Sequence, residues 1–479
     1  MPHVREPRSV KPNALLLILC AATFMSSLDL FIVNVGLRSI GQDVGQSSLA
    51  HLSWILNAYA IVFAALLVPA GRLADRYGNK PAFLVGLALF TFASVGCASS
   101  SELWLIVGLR GLQAVGAAAL VPSSLGLILT AIPRELRKHS IQIWAVSGSL
   151  GAAAGPALGG LLVQLSWRWI FLLNVPIGAS ALAAAALLAP NMKHSVETRI
   201  PDLLGGLLLI LAVGSLALAL VQASSWGWGS SRTILCFALS AFSLVIFVAH
   251  SARHEAPVIH FELFRHQEFT WANVAMVMIS IGFAMQLLGL VLWLQEGWGW
   301  SALKTGLAIA PSPALVSVTA IGLRRFTASL PAGIVAAVGA LVISAGGALI
   351  SATLRTAPNY AGEVLPGWLL IGAGAGLAFP TLIAAGTARL AAHHASTGSA
   401  VVQMNRQIGA ALGVALLVVF LGSSTASSKN LASFTEAWWW AACFAVVAAI
   451  AALGITPRRK ATTNPVPTMG LEGEPVSSQ

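Results

Sequence analysis

The sequence is short of charge. Of its 479 residues only 27 are Lys or Arg and 16 are Asp or Glu, and together these make up 9% of the chain. A soluble globular protein carries about 25%, so these charges are too few to cover a water-exposed surface, and an ordinary soluble enzyme is excluded. The apolar share of 57% excludes intrinsic disorder, whose signature is low hydrophobicity. A polytopic membrane protein remains.

Several chemical signatures are also missing. The four cysteines (Cys20, Cys97, Cys236 and Cys443) lie in separate apolar runs, with no spacing that indicates a zinc site or a disulfide framework. The chain has no phosphate loop of the form Gly-x-x-x-x-Gly-Lys-Ser/Thr, so we expect no ATP site. Nor do His, Cys, Asp and Glu occur at metal-ligand or catalytic-triad spacing. The sequence thus predicts no metal, no cofactor and no enzymatic activity.

Long apolar runs dominate what is present. A helix needs about 20 apolar residues to cross a hydrocarbon core of roughly 30 Å. The runs that meet this length predict fourteen spans, at about 14–37, 51–70, 81–99, 104–131, 141–165, 170–190, 202–222, 232–252, 268–294, 303–323, 330–353, 363–387, 399–422 and 435–455. The first run is too long for a signal peptide, and we interpret it as a retained span. The predicted fold is therefore an all-α membrane protein.

The positions of Lys and Arg predict the orientation of these spans. With the N-terminus in the cytoplasm, nineteen of these residues fall in inside segments and six in outside segments, as the positive-inside rule requires. Both termini are then cytoplasmic, in a multi-pass protein of the cell membrane. The net charge of +11 is explained by topology, and we expect no nucleic-acid partner. The segment 456–479 is rich in Pro, Thr, Ser and Gly and is predicted to be a disordered cytoplasmic tail.

A weak internal repeat indicates two related halves. The segment 116–122 (GAAALVP) resembles 374–380 (GAGLAFP), and Gly151 and Gly155 recur at the same offset as Gly409 and Gly413. Related halves about a central site are typical of secondary transporters. We predict a cytoplasmic N-tail (1–13), a six-helix bundle (14–190), a linker with two extra transmembrane helices (191–267) and a second six-helix bundle (268–455).

Two opposite charges lie at similar predicted depths. Ionisable groups inside a membrane cost about 2.5–3.5 kcal/mol each and are functional candidates by default. Asp29 is predicted about 12 Å and Arg110 about 10 Å from the outer face, with Gln113 one turn beyond Arg110. Desolvation favours the neutral acid and a nearby guanidinium favours the carboxylate, so Asp29 is a candidate for proton coupling with Arg110. The alternative is a permanent ion pair that holds the helices in register.

Two further charges need interpretation. Arg406 is predicted about 10 Å from the inner face, far from Asp29, in a structural role with Gln407 or backbone carbonyls. Glu296 follows Gln295 at the outer end of the ninth span. We interpret Glu296 as a solvated loop acid, with a second proton site as the alternative.

Glycine patterns mark two candidate conformational elements. The loop after the second span combines Gly71 and Gly78 with Asp75, Arg76 and Lys80, and we predict that it latches one half against the other at the cytoplasmic side. In the fifth span the small residues recur every three or four positions, at Gly148, Gly151, Gly155, Pro156, Gly159 and Gly160. Such spacing lets another backbone approach closely and predicts a sliding seam between the halves. The alternative for the loop is that its charges only reflect the positive-inside rule. The alternative for the fifth helix is a tight packing face.

Adaptable apolar and amide side chains define a candidate cargo cavity. Its predicted lining is Met25, Trp54, Asn57, Gln113, Trp144, Met278 and Gln286. Met and Trp suit a cavity that accepts varied lipophilic molecules, although each of them singly is more often a packing or lipid-facing residue.

These motifs together resemble the major facilitator superfamily, and within it the fourteen-helix drug:proton antiporters of the EmrB/QacA type. The resemblance is carried by residues 71–80, Leu28 and Asp29 with residues 32–35, Arg110 and Gln113, the glycines and proline of the fifth span, residues 167–171 with 174–176, and Arg406 and Gln407 with Gly409 and Gly413. It implies a major facilitator fold, with two six-helix bundles and two inserted helices. It also implies that Asp29 and Arg110 act in proton coupling, that Asp75 and Arg76 stabilise an outward-open state, and that the fifth helix marks an exporter.

The function predicted from the sequence is therefore proton-coupled antiport. The chain exports lipophilic small molecules such as drugs or toxins, cations among them, by alternating access and as a monomer. Its partners are then the small-molecule cargo, protons and the lipid bilayer. A dedicated exporter of one metabolite, antibiotic or lipid is the main alternative, and a non-transporting membrane sensor is a more distant one.

Overall fold

The computed structural model describes residues 12–190, 202–255, 257–327, 329–390, 392–422 and 430–455. Within these ranges it has fourteen helices long and apolar enough to cross a membrane, as predicted, and no strand. Numbered in chain order, helices α1 to α14 are Pro12–Asp43, Leu49–Leu52 with Trp54–Tyr77, Asn79–Ser99, Leu103–Ala131, Arg134–Val163, Trp169–Leu172 with Asn174–Leu188, Leu203–Trp226, Ser231–Ser251, Gln267–Leu292 with Trp293–Gly297, Ala302–Ile309 with Pro311–Gly322, Ala332–Thr353, Tyr360–Val364 with Leu365–Thr387, Ala392–Leu421 and Leu431–Leu453. The predicted tail 456–479 and most of the predicted N-tail lie outside the described residues.

Several helices are longer than their apolar runs. Helix α1 continues to Asp43, and α5 and α13 already begin at Arg134 and Ala392. Hydropathy marks the part of a helix that lipid covers, whereas the backbone remains helical until a cap or a turn residue stops it. Gly78 is such a residue: it ends α2 with φ +105°, a conformation that favours glycine.

The predicted tenth span consists of two consecutive helices. The first ends at Ile309 and the second begins at Pro311. Proline lacks the amide hydrogen that would continue the first helix, whereas it is well accommodated in the first turn of a new one. The break in α10 is therefore set by the position of this proline.

The two predicted halves share their helix packing. A Cβ added at Gly116 on α4 would lie 2.7 Å from the Gly86 carbonyl oxygen on α3, and one at Gly374 on α12 would lie 2.8 Å from the Ile343 amide nitrogen on α11. These close contacts occupy equivalent places in the two halves, which supports the internal repeat. The fold thus consists of two six-helix bundles, α1–α6 and α9–α14, with α7 and α8 inserted between them.

The inserted helices lie at the boundary between the bundles. Helix α7 packs against α8 and contacts α2 of the first bundle and α13 of the second. Helix α8 leaves large apolar side chains on its outer surface, including Leu235, Phe242 and Val245. Lipid is the natural cover for such a surface in a protein of this hydropathy.

The two bundles share one apolar core, but part of the first bundle has a core of its own. We call that end the Asp43 end, and the opposite one, with residues 71–80, the Asp75 end. One continuous apolar cluster includes residues of both bundles near the Asp43 end, among them Leu37, Ile55, Leu290 and Val418. Near the Asp75 end the first bundle has a separate core, which includes Leu15, Leu67, Phe83, Ile128 and Ala185. The bundles therefore share a core at the Asp43 end, and most of the first bundle has its own core at the Asp75 end.

Candidate functional site

Asp29 and Arg110 form an ion pair in the interior of the first bundle. Arg110 Nη1 donates to Asp29 Oδ2, and both side chains are fully buried. Helix α1 supplies the acid and α4 the base, each within a long apolar run. The structure thus brings together the two charges that the sequence places at similar depth. A buried pair of this kind is tolerated because each charge compensates the other.

Amide side chains complete the surroundings of the Asp29 carboxylate. Asp29 Oδ1 accepts hydrogen bonds from Gln113 Nε2 at 3.0 Å and from Asn174 Nδ2 at 2.9 Å. Gln113 also accepts from Arg110 Nη1 through its Oε1 at 2.6 Å and donates to Ser94 Oγ at 2.9 Å. All five side chains are fully buried. The carboxylate is therefore saturated by donors from two further helices, α4 and α6.

Arg110 is held from its other side by α2. Its Nε donates to the Ile55 carbonyl oxygen at 3.2 Å, and its guanidinium lies 4.3 Å from the centre of the Tyr59 ring. Its Nη2 is buried without a hydrogen-bond partner. The guanidinium thus keeps one free donor in a water-poor interior, where an unpaired donor is costly.

The second bundle has neutral residues at the equivalent positions. Trp368 stands where the repeat offset places the counterpart of Arg110, and its Nε1 donates to the Ile309 carbonyl oxygen at 2.8 Å. The same offset places Leu287 on α9 as the counterpart of Asp29. Its neighbour Gln286 is fully buried and packs against Gly347, and neither polar atom of the Gln286 amide has a hydrogen-bond partner. The charged pair is therefore confined to the first bundle.

Asn174, Ser94 and Tyr59 were not predicted as members of this site. Asn174 contributes to the sequence predictions only as part of the segment 174–176 that carries the family resemblance. A polar amide inside an apolar run is, however, itself an indication of a functional residue. Ser94 and Tyr59 carry no comparable signal, since serine and tyrosine are common in membrane helices. Their place at the site depends on the rotation of α2 and α3, which the sequence does not give.

The predicted cavity residues divide into two groups. Met25, Asn57, Gln113 and Gln286 are fully buried and line no accessible surface in this conformation. For Gln113 the reason is its bond to Asp29. Trp54, Trp144 and Met278 are half-buried, and Trp144 Nε1 donates to Ser124 Oγ at 3.0 Å. A cavity role stays a prediction for these three.

The fifth-helix glycines face two different neighbours. A Cβ at Gly151, Gly155 or Gly159 would lie about 3 Å or less from atoms of α1, among them Leu28 N at 3.1 Å and Ile32 Cγ1 at 2.7 Å. The prediction that the whole motif forms the seam between the halves is thus wrong for these three, because they pack within the first bundle. The periodicity identifies a close-packing face but not the helix that covers it.

The last turn of this motif does reach the other bundle. A Cβ at Gly160 on α5 would lie 2.8 Å from Leu303 Cα on α10, and one at Gly306 would lie 2.9 Å from the Pro156 carbonyl carbon. These two glycines let α5 and α10 cross in backbone contact near the Asp43 end. Gly306 was not among the predicted residues.

Hydrogen bonds between α1 and α9 also join the two bundles at the Asp43 end. Arg38 Nη1 donates to the Gln295 carbonyl oxygen at 2.5 Å, and Gln295 Nε2 donates to the Val35 carbonyl oxygen at 3.0 Å. Gln295 lies in the π-helical turn Trp293–Gly297 that ends α9. Glu296, in the same turn, is only half-buried but its Oε2 is buried without a partner. The fully solvated acid expected from the sequence is therefore not what the structure shows.

The predicted loop 71–80 is largely helical: residues 71–77 are the end of α2, and Gly78 alone separates it from α3, which begins at Asn79. This segment contacts its own bundle and the linker. Lys80 Nζ donates to the Ala186 and Ala189 carbonyl oxygens at 3.0 and 2.6 Å, at the end of α6. Arg72 Nη2 lies 2.6 Å from His260 Nε2, in the segment before α9. Asp75 is exposed and Arg76 half-buried on the last turn of α2. A latch to the second bundle stays a prediction.

One cluster has a donor set that suits a metal ion, although the sequence predicted none. The ligand atoms of Asp202, His250 and His254 lie within 4.8 Å of one another. The carboxylate is already used, since Asp202 Oδ1 accepts from the Gly205 amide at 2.6 Å as the cap of α7 and lies 2.8 Å from His250 Nε2. These contacts explain the cluster as a structural junction between α7 and α8.

Comparisons with known proteins agree with this architecture. The family model of the Major Facilitator Superfamily matches residues 19–414. The chain is 32% identical to the cephamycin export protein CmcT of Amycolatopsis lactamdurans, covering 99% of this chain and 98% of that protein. It is 30% identical to the methylenomycin A resistance protein of Bacillus subtilis, over 87% of this chain and 89% of that protein. It is 33% identical to the puromycin resistance protein pur8 of Streptomyces alboniger, over 86% of this chain and 82% of that protein.

Solved structures share the fold at low sequence identity. A peptide transporter POT in complex with sulfate aligns with a TM-score of 0.65 and 16% identity, over 95% of both chains. A bacterial homologue of the human lysosomal transporter Spinster aligns with a TM-score of 0.63 and 15% identity, over 93% of this chain and 96% of that chain. The family match, the fourteen helices and the two related bundles together show that the chain belongs to the major facilitator superfamily of membrane transporters.

Proposed function

We propose that the protein is a proton-coupled antiporter that exports lipophilic small molecules by alternating access. The observation that carries this proposal is the ion pair of Asp29 with Arg110, a charged and protonatable site inside the membrane. The relatives that are named for resistance or export support small-molecule export as the direction of transport.

The proton acts at the Asp29 carboxylate. In the present conformation the carboxylate accepts from three donors, which belong to Arg110, Gln113 and Asn174. A proton on Oδ1 or Oδ2 removes the charge that Arg110 compensates, and the guanidinium then needs another acceptor. Protonation thus changes the contacts between α1, α4 and α6, and in this way the proton is coupled to the arrangement of the helices.

The difference between the two ends of the molecule supports alternating access. The bundles meet at the Asp43 end through the Gly160–Gly306 crossing and the Arg38–Gln295 contact, whereas most of the first bundle has its own core at the Asp75 end. With both termini in the cytoplasm, as the Lys and Arg distribution indicates, this conformation faces inward. Export then requires opening at the Asp43 end. The site lies within one chain, which supports a monomer as the working unit.

The proton gradient supplies enough free energy for this function. One charge that moves through 150 mV gains about 3.5 kcal/mol, which sustains a concentration ratio of a few hundredfold.

Everted membrane vesicles test the proposal. Wild-type protein should accumulate a lipophilic dye in energised vesicles, and an uncoupler should abolish the accumulation. Asp29→Asn should remove coupled transport. The matched control is Asp43→Asn, an acid on the same helix in an exposed ion pair with Arg168 at 2.8 Å, which should transport normally because exposed pairs contribute about 0–1 kcal/mol. Uncoupler-sensitive transport in a folded Asp29→Asn variant would refute the role of Asp29.

A dedicated exporter of one compound is the second candidate. Its support is that several relatives are named for single antibiotics, such as cephamycin, methylenomycin A and puromycin. A growth assay of cells that express the protein against a panel of unrelated toxic compounds distinguishes the two. Protection against a single compound favours the dedicated exporter, and protection against many favours a multidrug exporter. Absence of any flux would favour the non-transporting sensor.

A further inference from the structure

Arg406 is a second buried cation, and its surroundings differ from those of Arg110. Its Nε atom is buried and has no hydrogen-bond partner, so the bond expected to Gln407 or to a backbone carbonyl is absent at this atom. None of the ion pairs between described residues includes Arg406. The side chain is half-buried rather than sealed. It therefore lines a space in the protein interior without a protein anion beside it.

Arg406 lies well inside both ends of its helix. It is midway along α13 (Ala392–Leu421), about 22 Å along the axis from Leu421 and about 21 Å from Ala392. Arg406 also lies within the part of α13 that is apolar enough to cross a membrane, Thr397–Leu421. Its predicted distance from the inner face stays a prediction.

No other acid of the described helices is available this far from a helix end. Asp29 is already paired with Arg110. The remaining described acids on the fourteen helices all lie within two turns of a helix end: Asp43, Asp75, Glu135, Glu268, Glu296, Glu363 and Glu436. The membrane interior of the described protein therefore holds one uncompensated charge, and it is positive. An uncompensated charge in a medium of low dielectric constant attracts a counterion strongly.

The position of Arg406 is suited to contact with cargo. Helix α13 packs against α9 of its own bundle and against α2 of the first bundle, so it lies where the two bundles meet. Asn405 Nδ2 donates to Asn273 Oδ1 on α9 at 2.7 Å, which fixes the rotation of α13. Gln403, one turn before Arg406, has a buried amide oxygen without a partner. A cargo molecule that bound here would find an unused donor on the guanidinium and an unused acceptor on the amide.

We infer that Arg406 binds an anionic group of the cargo, and that the exported molecules are lipophilic organic acids, most simply carboxylates. The inference rests on the proposed export function and reverses the cationic cargo considered from the sequence. A guanidinium offers a planar pair of donors that matches a carboxylate. Asp29 is unsuited to bind a cationic cargo in this conformation, because all its nearest contacts are donors of the protein.

A pair of dyes that differ in one carboxylate tests this inference. Rhodamine B has a free carboxylate, and rhodamine B ethyl ester has the same ring system without it. In energised everted vesicles the wild-type protein should take up rhodamine B at least tenfold faster than the ester. Arg406→Gln should lower uptake of rhodamine B at least tenfold and leave uptake of the ester unchanged. Arg406→Lys should retain most of the rhodamine B uptake, and Arg406→Glu should reverse the preference in favour of the ester.

Controls separate a binding role from a structural one. Arg389→Gln removes an exposed Arg, paired with Glu268 at 2.9 Å, and should leave both dyes unaffected. Each variant is checked for yield and for a single peak in size-exclusion chromatography. Equal loss of both dyes in a folded Arg406→Gln variant would assign Arg406 to structure or coupling and overturn the inference.

The two proposals fail in different ways. If only the ester showed uncoupler-sensitive uptake, and Arg406→Gln did not affect it, the proposed export function would stand. The inference that the cargo is anionic would be overturned. Absence of uncoupler-sensitive uptake of either dye by the wild-type protein would count against both.

Discussion

Arg110 and Trp368 occupy equivalent positions in the two bundles, and each donates to a backbone carbonyl of the second helix of its own bundle. Arg110 Nε donates to Ile55 O at 3.2 Å, and Trp368 Nε1 donates to Ile309 O at 2.8 Å. Each bond ties the fourth helix of a bundle to its second. The repeat therefore preserves a helix contact while the side chain that makes it changes from a cation to a neutral indole.

The buried ion pair predicts a non-additive effect on stability. Arg110→Gln should lower the free energy of unfolding by about 3–5 kcal/mol, because it leaves the Asp29 charge uncompensated. The double variant Asp29→Asn with Arg110→Gln should be more stable than Arg110→Gln alone. Thermal unfolding in detergent measures both. Additive losses would show that the two side chains do not act as a pair.

Asn174 should stabilise the site through its bond to the carboxylate. Asn174→Ala removes a donor to a charged acceptor, worth about 1.5–3 kcal/mol, and should reduce coupled transport. The control is Asn34→Ala on α1, since Asn34 Nδ2 donates only to carbonyl oxygens of its own helix, at 3.2 and 3.3 Å. Unfolding and dye uptake are measured for both variants. Equal effects of the two substitutions would contradict a specific role for Asn174.

The crossing of α5 and α10 should control closure at the Asp43 end. Gly306→Leu places a side chain against the Pro156 carbonyl group, which has no room for it, and should hold the Asp43 end open and abolish transport. Gly322→Leu on the same helix meets open space at its Cβ and should transport normally. Labelling of single introduced cysteines near the Asp43 end measures the opening. Unchanged labelling in Gly306→Leu would show that this crossing does not limit closure.

The contact between α1 and α9 should open during each cycle. In a variant with the four native cysteines replaced by serine, Val35→Cys and Gln295→Cys lie across the contact made by Gln295 Nε2 and the Val35 carbonyl. A short bifunctional thiol reagent should link them and stop dye uptake, and cleavage of the link by a reductant should restore it. Each single-cysteine variant is the control. Normal transport by the linked protein would show that this end remains closed throughout.

The sequence predicts the helices and the charged pair well for a simple physical reason. A charge inside an apolar run is costly, so Asp29 and Arg110 stand out and each is expected to need a partner. The spans are equally visible, since lipid requires about 20 apolar residues in a row. Both predictions depend on composition along one helix only.

Features that depend on how two helices pack together are harder to predict from the sequence. The glycines of α5 predict a close contact, but their spacing does not reveal that Gly151 contacts α1 and Gly160 contacts α10. Likewise, α13 begins at Ala392, before its apolar run, because polar residues extend the helix. Helix rotation and helix length are set by packing, which a pattern of hydropathy does not determine.

The confinement of the charged pair to the first bundle has a consequence for evolution. On the proposed mechanism, the energy-converting step depends on residues of α1, α4 and α6, while Arg406 and its neighbours belong to the second bundle. Mutations in the second bundle can then change which molecule is recognised without altering the residues that couple transport to protons. Such a division allows one scaffold to acquire new cargo molecules through few substitutions.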